Sequence, residues 1–354
     1  MSTSMRKTII ISLLVAIALL FPLDGYISRP GQAFEIEPLV HVEGEDDEPR
    51  GGAFHLMTIA IGKGNTLFYG LSFLSDTIEW MPNRAVRQDG ESDEVYALRQ
   101  KRLMYNSQQN ASIVAFQKAN APYTVSYDGV YVLDVVEGSP ADGRLQPGDQ
   151  IESVDGVRLT EKGQFADIVR QKKEGDSIHI SFLREPYHKE TSMNVEALDA
   201  VEGKVGVGIR YEENRTVKTD PSVTFDETSI GGPSAGFMFT LEMIDQLTPS
   251  DLTKGYLIAG TGEIDEDGTV GRIGGIDYKV RAADRANMEI FFAPDDPITE
   301  QMKKDHPTIQ SNYAQAVETA EKIGTTMEIV PVRTIDDALD YLEKLPLKEE
   351  KLGG

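Results

Sequence analysis

The sequence has no cysteine, which excludes structural disulfides, thiolate nucleophiles and thiolate metal sites. Histidine is scarce: His41, His55, His179, His188 and His306 lie far apart, and no His-Glu-x-x-His pattern sets two imidazoles on one helical face. No metal site is expected. Positive charge is also in deficit, with 35 Lys plus Arg against 58 Asp plus Glu and a net charge of -23, so a phosphate backbone would be repelled. Nucleic acid is excluded as an expected partner. No Gly-Lys-Ser or Gly-Lys-Thr completes a phosphate-binding loop, so neither nucleotide nor any other cofactor is expected.

Long uncharged runs are equally rare. After Arg6 and Lys7, one stretches from Thr8 to Leu23, and to Ile27 if Asp24 sits among headgroups. A bilayer-spanning helix needs about 17 to 25 such residues. Residues 8–27 are therefore expected to be a transmembrane anchor, with 1–7 cytoplasmic by the positive-inside rule and the remainder exported at the cell membrane. The competing reading is a cleaved signal peptide, since Gly31-Gln32-Ala33 is a small-x-small site. Beyond that run the composition is that of a water-soluble chain, and its length calls for more than one hydrophobic core.

Gly31 to Arg50 is acidic and ends at Gly51-Gly52, the pattern of an exposed stalk or edge segment. Phe54 to Ile61 is a strand candidate. Glu94 to Lys118 has helical character with Val95, Leu98, Leu103, Ile113 and Phe116 as apolar anchors. Residues 28–125 are expected to pack on the later domains.

A new unit starts near Ser126. Strand-like Val130 to Val136 leads to Gly138-Ser-Pro-Ala141, Leu145-Gln-Pro-Gly-Asp149, Ile151 to Val154 and the turn Asp155-Gly156. A short helix over Phe165 to Gln171 and a strand from Ser177 to Arg184 follow. In order and spacing, residues 126–198 resemble a bacterial PDZ domain, a small barrel-like β-sandwich with helices. Such domains bind an extended peptide as an added strand and hold its terminal carboxylate on backbone N–H groups. The resemblance places that loop at Tyr127, Asp128, Gly129 and Val130, facing a helix with Phe165, Ile168 and Val169. Ordinary core packing is the competing account of those three apolar residues.

Farther on, Val205 to Tyr211 and Val223 to Phe225 read as strands ahead of Ser229-Ile-Gly-Gly-Pro-Ser-Ala-Gly236. Phe237, Leu241 and Ile244 then recur at helical spacing. Gly231 and Gly232 allow a tight turn, and Pro233 suits the first helical turn. Ser234 therefore lies at a helix N-terminus, where free N–H groups and the dipole favour an oxyanion, although an isolated serine there is more often a cap. Downstream, two strands around the Asp265 to Gly268 turn lead to a helix whose Ile276, Val280 and Ala283 face inward. Lys279 is next to that stripe. Removal from water lowers a lysine's proton affinity, so its free amine can take a serine's proton.

Together, Gly-Pro-Ser-Ala-Gly, Thr261-Gly-Glu263 and Ile273-Gly-Gly275 followed by Lys279 resemble the proteolytic domain of Lon proteases, through Phe291-Phe-Ala-Pro294 to the helix ending near Leu342. The resemblance implies Ser234 as nucleophile and Lys279 as base, with Thr261, Gly232, Pro233 and Ala235 in support. Gly231 departs from it, because bacterial Lon enzymes often carry an acidic residue there. Anchor, PDZ domain and Lon-like domain in this order are similar to membrane-anchored PDZ/Lon-like serine proteases of Gram-positive bacteria. The expected architecture is α+β and multidomain: anchor, PDZ domain, an α/β proteolytic domain over 199–346, and a flexible tail over 347–354. The implied function is an ATP-independent serine endopeptidase acting on exported peptides or unfolded protein, with assembly into a homo-oligomer allowed. The competing class is a non-catalytic membrane-anchored adaptor that uses the Lon-like domain as a scaffold.

Overall fold

The computed structural model describes residues 5, 9, 18–44, 51–87, 91–198, 204–226 and 230–348. Its main strands are β1 (Pro22–Glu35), β2 (Ala53–Asn65) and β3 (Glu79–Pro82), then β4 (Tyr123–Val135), β5 (Gln150–Val154), β6 (Ser177–Arg184), β7 (Tyr187–Asn194) and β8 (Ile209–Thr219), and last β9 (Leu257–Gly260), β10 (Ile290–Pro294) and β11 (Glu328–Val332). The first three and last three form one six-stranded sheet in the order β11-β10-β9-β2-β1-β3. The middle five form an antiparallel sheet in the order β8-β4-β5-β6-β7, with the short strand Val157–Arg158 on β5. The second domain is thus an insertion between two halves of the first.

The principal helices are α1 (Thr66–Ser72), α2 (Asp93–Lys118), α3 (Gln164–Arg170), α4 (Gly236–Leu247), α5 (Ile276–Arg285), α6 (Asn312–Ile323) and α7 (Ile335–Lys344). Strands β2, β9, β10 and β11 run parallel. A parallel sheet is covered on both faces, and β10 is accordingly apolar and buried along its length. Alternation along it assigns the two layers. Phe292 packs with Phe54, Phe116, Phe237 and Leu241 on the side of α2, α4 and α7, while Phe291 packs with Met57, Ile276, Val280 and Ala316 on the side of α5 and α6. The inserted domain has its own core around Val130, Val132, Ile151, Ile178, Ile180 and Phe182.

The N-terminal region departs most from the sequence expectations. Pro22 to Ile27, the end of the expected anchor, is strand rather than membrane helix: Tyr26 pairs with Lys63 and Ile27 with Gly62, and both Tyr26 and Ile27 are buried. Residues 1–4, 6–8 and 10–17 of the expected cytoplasmic end and anchor lie outside the described residues, and among the described residues no helix is long and apolar enough to cross a membrane. Hydropathy could not place this boundary because an apolar residue reads alike whether it enters lipid or a sheet. Nor is 31–44 a stalk. Gly31 to Glu35 complete β1, Ile36 and Val40 are fully buried, and Val40–Val42 pairs with Val223–Phe225; residues 45–50 of that segment lie outside the described residues. Residues 22–65 therefore do more than pack on the later domain, since they supply β1 and β2 of its sheet.

Candidate active site

Three elements converge on Ser234. The loop before α4 turns at Gly232, whose φ of 88° is a left-handed value that favours glycine. Ser234 stands in the turn ahead of α4, which begins at Gly236. Thr261 directly follows β9. Lys279 comes from the first turn of α5, behind Gly275 in a left-handed conformation.

The Lys279 amine lies 2.8 Å from Ser234 Oγ and 2.8 Å from Thr261 Oγ1. The Thr261 hydroxyl donates to the Ser234 carbonyl at 3.0 Å, and the Gly262 N–H donates to the same oxygen at 3.1 Å. Because Thr261 commits its one proton there, its oxygen accepts from the lysine amine. The lone pair of a neutral Lys279 is then left for the Ser234 hydroxyl. Lys279 is 3% exposed, between Ile276 and Val280, which are both fully buried. Burial disfavours the ammonium form and pushes the amine down to about 7.

The supporting residues divide by role. The Gly232 N–H donates to the Gln100 carbonyl at 3.1 Å, so it is not free for an oxyanion, and Pro233 has no N–H. These two shape the loop. The N–H groups of Ser234 and Ala235 find no acceptor among the described residues, which leaves them as the candidate oxyanion donors.

Helix α2 contributes residues that sequence reasoning missed. Ser107 donates to the Pro233 carbonyl at 2.8 Å, and Asn110 donates to the Ile264 carbonyl at 2.7 Å. Gln100, Met104 and Ser107 share one helical face by their spacing of four and three, which is the signal that could have found them. The same face explains the departure at Gly231, where an added Cβ would lie 2.9 Å from the Gln100 Cβ. A side chain there requires the loop or the helix to shift.

Ser234 and Lys279 open into a cleft of about 880 Å³ between β2, α2 and the serine loop. Its lining is mainly apolar, with Leu56, Ile59, Met104, Phe225, Ile230 and Ile273, and Glu263 adds a carboxyl group that burial raises above its usual range. Among the described residues no group of His, Asp and Glu could hold a metal ion.

The structure does not present Tyr127 to Val130 as the open loop expected for the inserted domain. That segment is not an open loop: it is interior to β4, with Tyr127 opposite Arg215 and Val130 opposite Glu213, and Gly129 N–H donates to Leu159. The Asp128 carbonyl accepts from Gln150 and Asn214. Phe165 and Val169 are core residues, and Ile168 packs half-buried against them. The edge strands of this sheet are β7 and, beside α3, β8. The later half of β8 is covered by α2, where Tyr105 donates to the Arg215 carbonyl at 3.1 Å and Gln109 accepts from Val217 N–H at 2.7 Å. Its start lies beside α3 through the edge-on Phe165–Tyr211 ring contact. Just before it, the N–H groups of Val207 and Gly208 find no acceptor among the described residues.

Comparison with known proteins matches the chain to two families. Residues 113–196 match the PDZ domain, and residues 158–343 match the Lon protease (S16) C-terminal proteolytic domain. A Lon protease of Trichlorobacter lovleyi is 36% identical over 121 residues, covering 34% of this chain and 13% of the relative. One of Xanthomonas oryzae pv. oryzae is 26% identical over 215 residues, covering 60% of this chain and 23% of the relative. The chain thus spans under a quarter of the length of these relatives. Among solved structures, the PDZ domain of an SdrC-like protein of Listeria monocytogenes is 33% identical, covers 25% of this chain and 92% of its own, and gives a TM-score of 0.24.

Proposed function

The chain belongs to the Lon protease (S16) C-terminal proteolytic domain family, a family of serine peptidases, and we propose that it is an ATP-independent endopeptidase using Ser234 and Lys279. The observation that carries this reading is the buried amine 2.8 Å from the serine hydroxyl, with no carboxylate needed to bring it there. Neutral Lys279 takes the proton from Ser234 as Oγ attacks the substrate carbonyl, and the oxyanion forms against the Ser234 and Ala235 amides. The lysine ammonium returns the proton to the departing amine. Water, deprotonated by the same amine, then hydrolyses the acyl ester.

Without a nucleotide-binding loop in the sequence, the cleft should take chains that arrive extended, such as exported peptides or unfolded protein. The inserted domain offers such a chain the open start of β8, with the Val207 and Gly208 amides placed to hold a terminal carboxylate. Membrane attachment through residues 8–21 is part of the same proposal. As a helix that run is about 21 Å long, so Arg6 and Lys7 would have to snorkel or the bilayer thin around it. Retention of the segment fits the sheet, since cleavage after Ala33 would remove most of β1, including buried Tyr26, Ile27 and Ser28.

The test uses the full chain in detergent with an unfolded protein as substrate, in chelator and without nucleotide. Cleavage by the native chain and none by Ser234→Ala is expected. A need for ATP would overturn the nucleotide-independent reading, and cleavage by Ser234→Ala would overturn the nucleophile.

A further inference from the structure

Phe73 and Leu74, directly after α1, are 73% and 84% exposed. Tyr69 on the same helix is also exposed, its ring 5.1 Å from Phe73 and 5.0 Å from Trp80 in edge-on contacts. No charged residue occurs from Asn65 to Ser75. Exposed apolar groups so concentrated mark a contact surface rather than the scattered apolar exposure of an ordinary protein.

A second uncharged segment meets the first. Leu20 and Phe21 are 63% and 61% exposed at the end of the N-terminal apolar run. The Phe21 carbonyl accepts from the Thr66 N–H at 3.1 Å and from the Thr66 hydroxyl at 3.3 Å. The start of α1 is therefore tied to the residue at which the apolar run ends. Helix α1 is about 10 Å long, so Phe73 and Leu74 lie within the depth over which amphipathic elements enter the headgroup and acyl boundary. The nearest exposed acid in the chain beyond the tip, Asp76, is paired with Lys322 at 2.7 Å.

We propose that this tip, Tyr69, Phe73 and Leu74 beside Leu20 and Phe21, inserts into the surface of a lipid bilayer. The proposal rests on the N-terminal run being a membrane anchor. A chain of net charge -23 cannot be drawn to an anionic surface, so apolar insertion with Trp80 and Tyr69 at headgroup level must supply the contact. Strand β2 runs from the cleft to α1, and Ile61 of the cleft lining is four residues before Asn65, about 13 Å away. Insertion would hold the mouth of the cleft near the bilayer.

The absence of cysteine makes the test direct. Leu74→Cys and, on the inserted domain, Val157→Cys each give the full chain a single thiol for a nitrobenzoxadiazole label. The labelled chains are reconstituted in phosphatidylcholine vesicles and floated. Expected are a blue-shifted emission at position 74, quenching there by spin-labelled lipid, and iodide access several-fold lower than at position 157. Equal iodide access at both positions in protein that floats would overturn the tip while leaving the anchor in place. Failure to float would overturn both. Shielding from iodide without quenching by lipid would mean that a second copy covers the tip, and would overturn the proposal too.

Discussion

The hydroxyl of Ser107, on α2, donates to the carbonyl oxygen of Pro233 at 2.8 Å and so ties a helix from before the inserted domain to the serine loop after it. The Gly236 N–H donates to the same carbonyl at 3.3 Å. Ser107→Ala keeps that second bond and removes the tether between α2 and the serine loop. One such bond contributes about 1 kcal/mol, so kcat should fall about fivefold with KM nearly unchanged, as for a residue that positions the nucleophile. An equal rise in KM with no change in kcat would assign Ser107 to substrate binding instead.

Thr261 is placed to do more than pack. Its hydroxyl joins the Ser234 carbonyl to the Lys279 amine, so Thr261→Val keeps the shape and loses both bonds. The amine then keeps only Ser234 Oγ and loses the acceptor that orients its lone pair. A loss of kcat on the order of a hundredfold is expected, with most activity kept in Thr261→Ser. Comparable rates in the valine and native proteins would show that burial alone orients the lysine.

Where local pattern determines structure, the sequence was readable. Helix α2 begins at Asp93 where Glu94 was expected to start it, and the strand over Ser177 to Arg184 coincides with β6. The triple Ser234, Thr261 and Lys279 could be assembled because each lies in a motif. What could not be read was long-range pairing: nothing local in Pro22 to Glu35 says that it lies between β2 and β3 of a sheet completed more than 200 residues later. Val205 to Tyr211 likewise reads as one strand, but Gly208 at φ 81° breaks it and leaves two open amides. Ser107 was legible only as part of one face of α2, because its partner, a backbone carbonyl, has no side-chain signature.

The buried lysine makes stability depend on pH in a definite direction. Its amine is pushed from 10.5 down to about 7 on folding, so between those values the unfolded chain binds a proton that the folded chain does not. The resulting stabilisation is complete above about 10.5 and is lost as pH falls through about 7. Lys279→Met removes the titrating group and keeps most of the volume. Its unfolding free energy should exceed that of the native chain at pH 7 by about 2 to 5 kcal/mol, and the gap should narrow as pH rises toward 10. Denaturant titrations at three pH values would decide this, and a gap that did not change with pH would show that Lys279 stays charged when folded.

The same displacement governs catalysis. A lysine exposed to water titrates near ~10.4, so at pH 7 roughly one amine in two to three thousand would be free to act as base. With burial lowering Lys279 to about 7, roughly half of the sites carry the neutral amine at that pH. The hydroxyl of serine does not titrate in this range. The profile of kcat/KM for a substrate without ionisable groups should therefore rise along one limb with a midpoint near about 7. Glu263 shares the cleft and its carboxyl is raised by burial, so Glu263→Gln is the control, and the midpoint should survive that change. Lys279→Arg should be inactive throughout, because a guanidinium stays protonated and cannot accept the serine proton. A midpoint that moved with Glu263→Gln, or a flat profile from pH 5 to 10, would take the role of base away from Lys279.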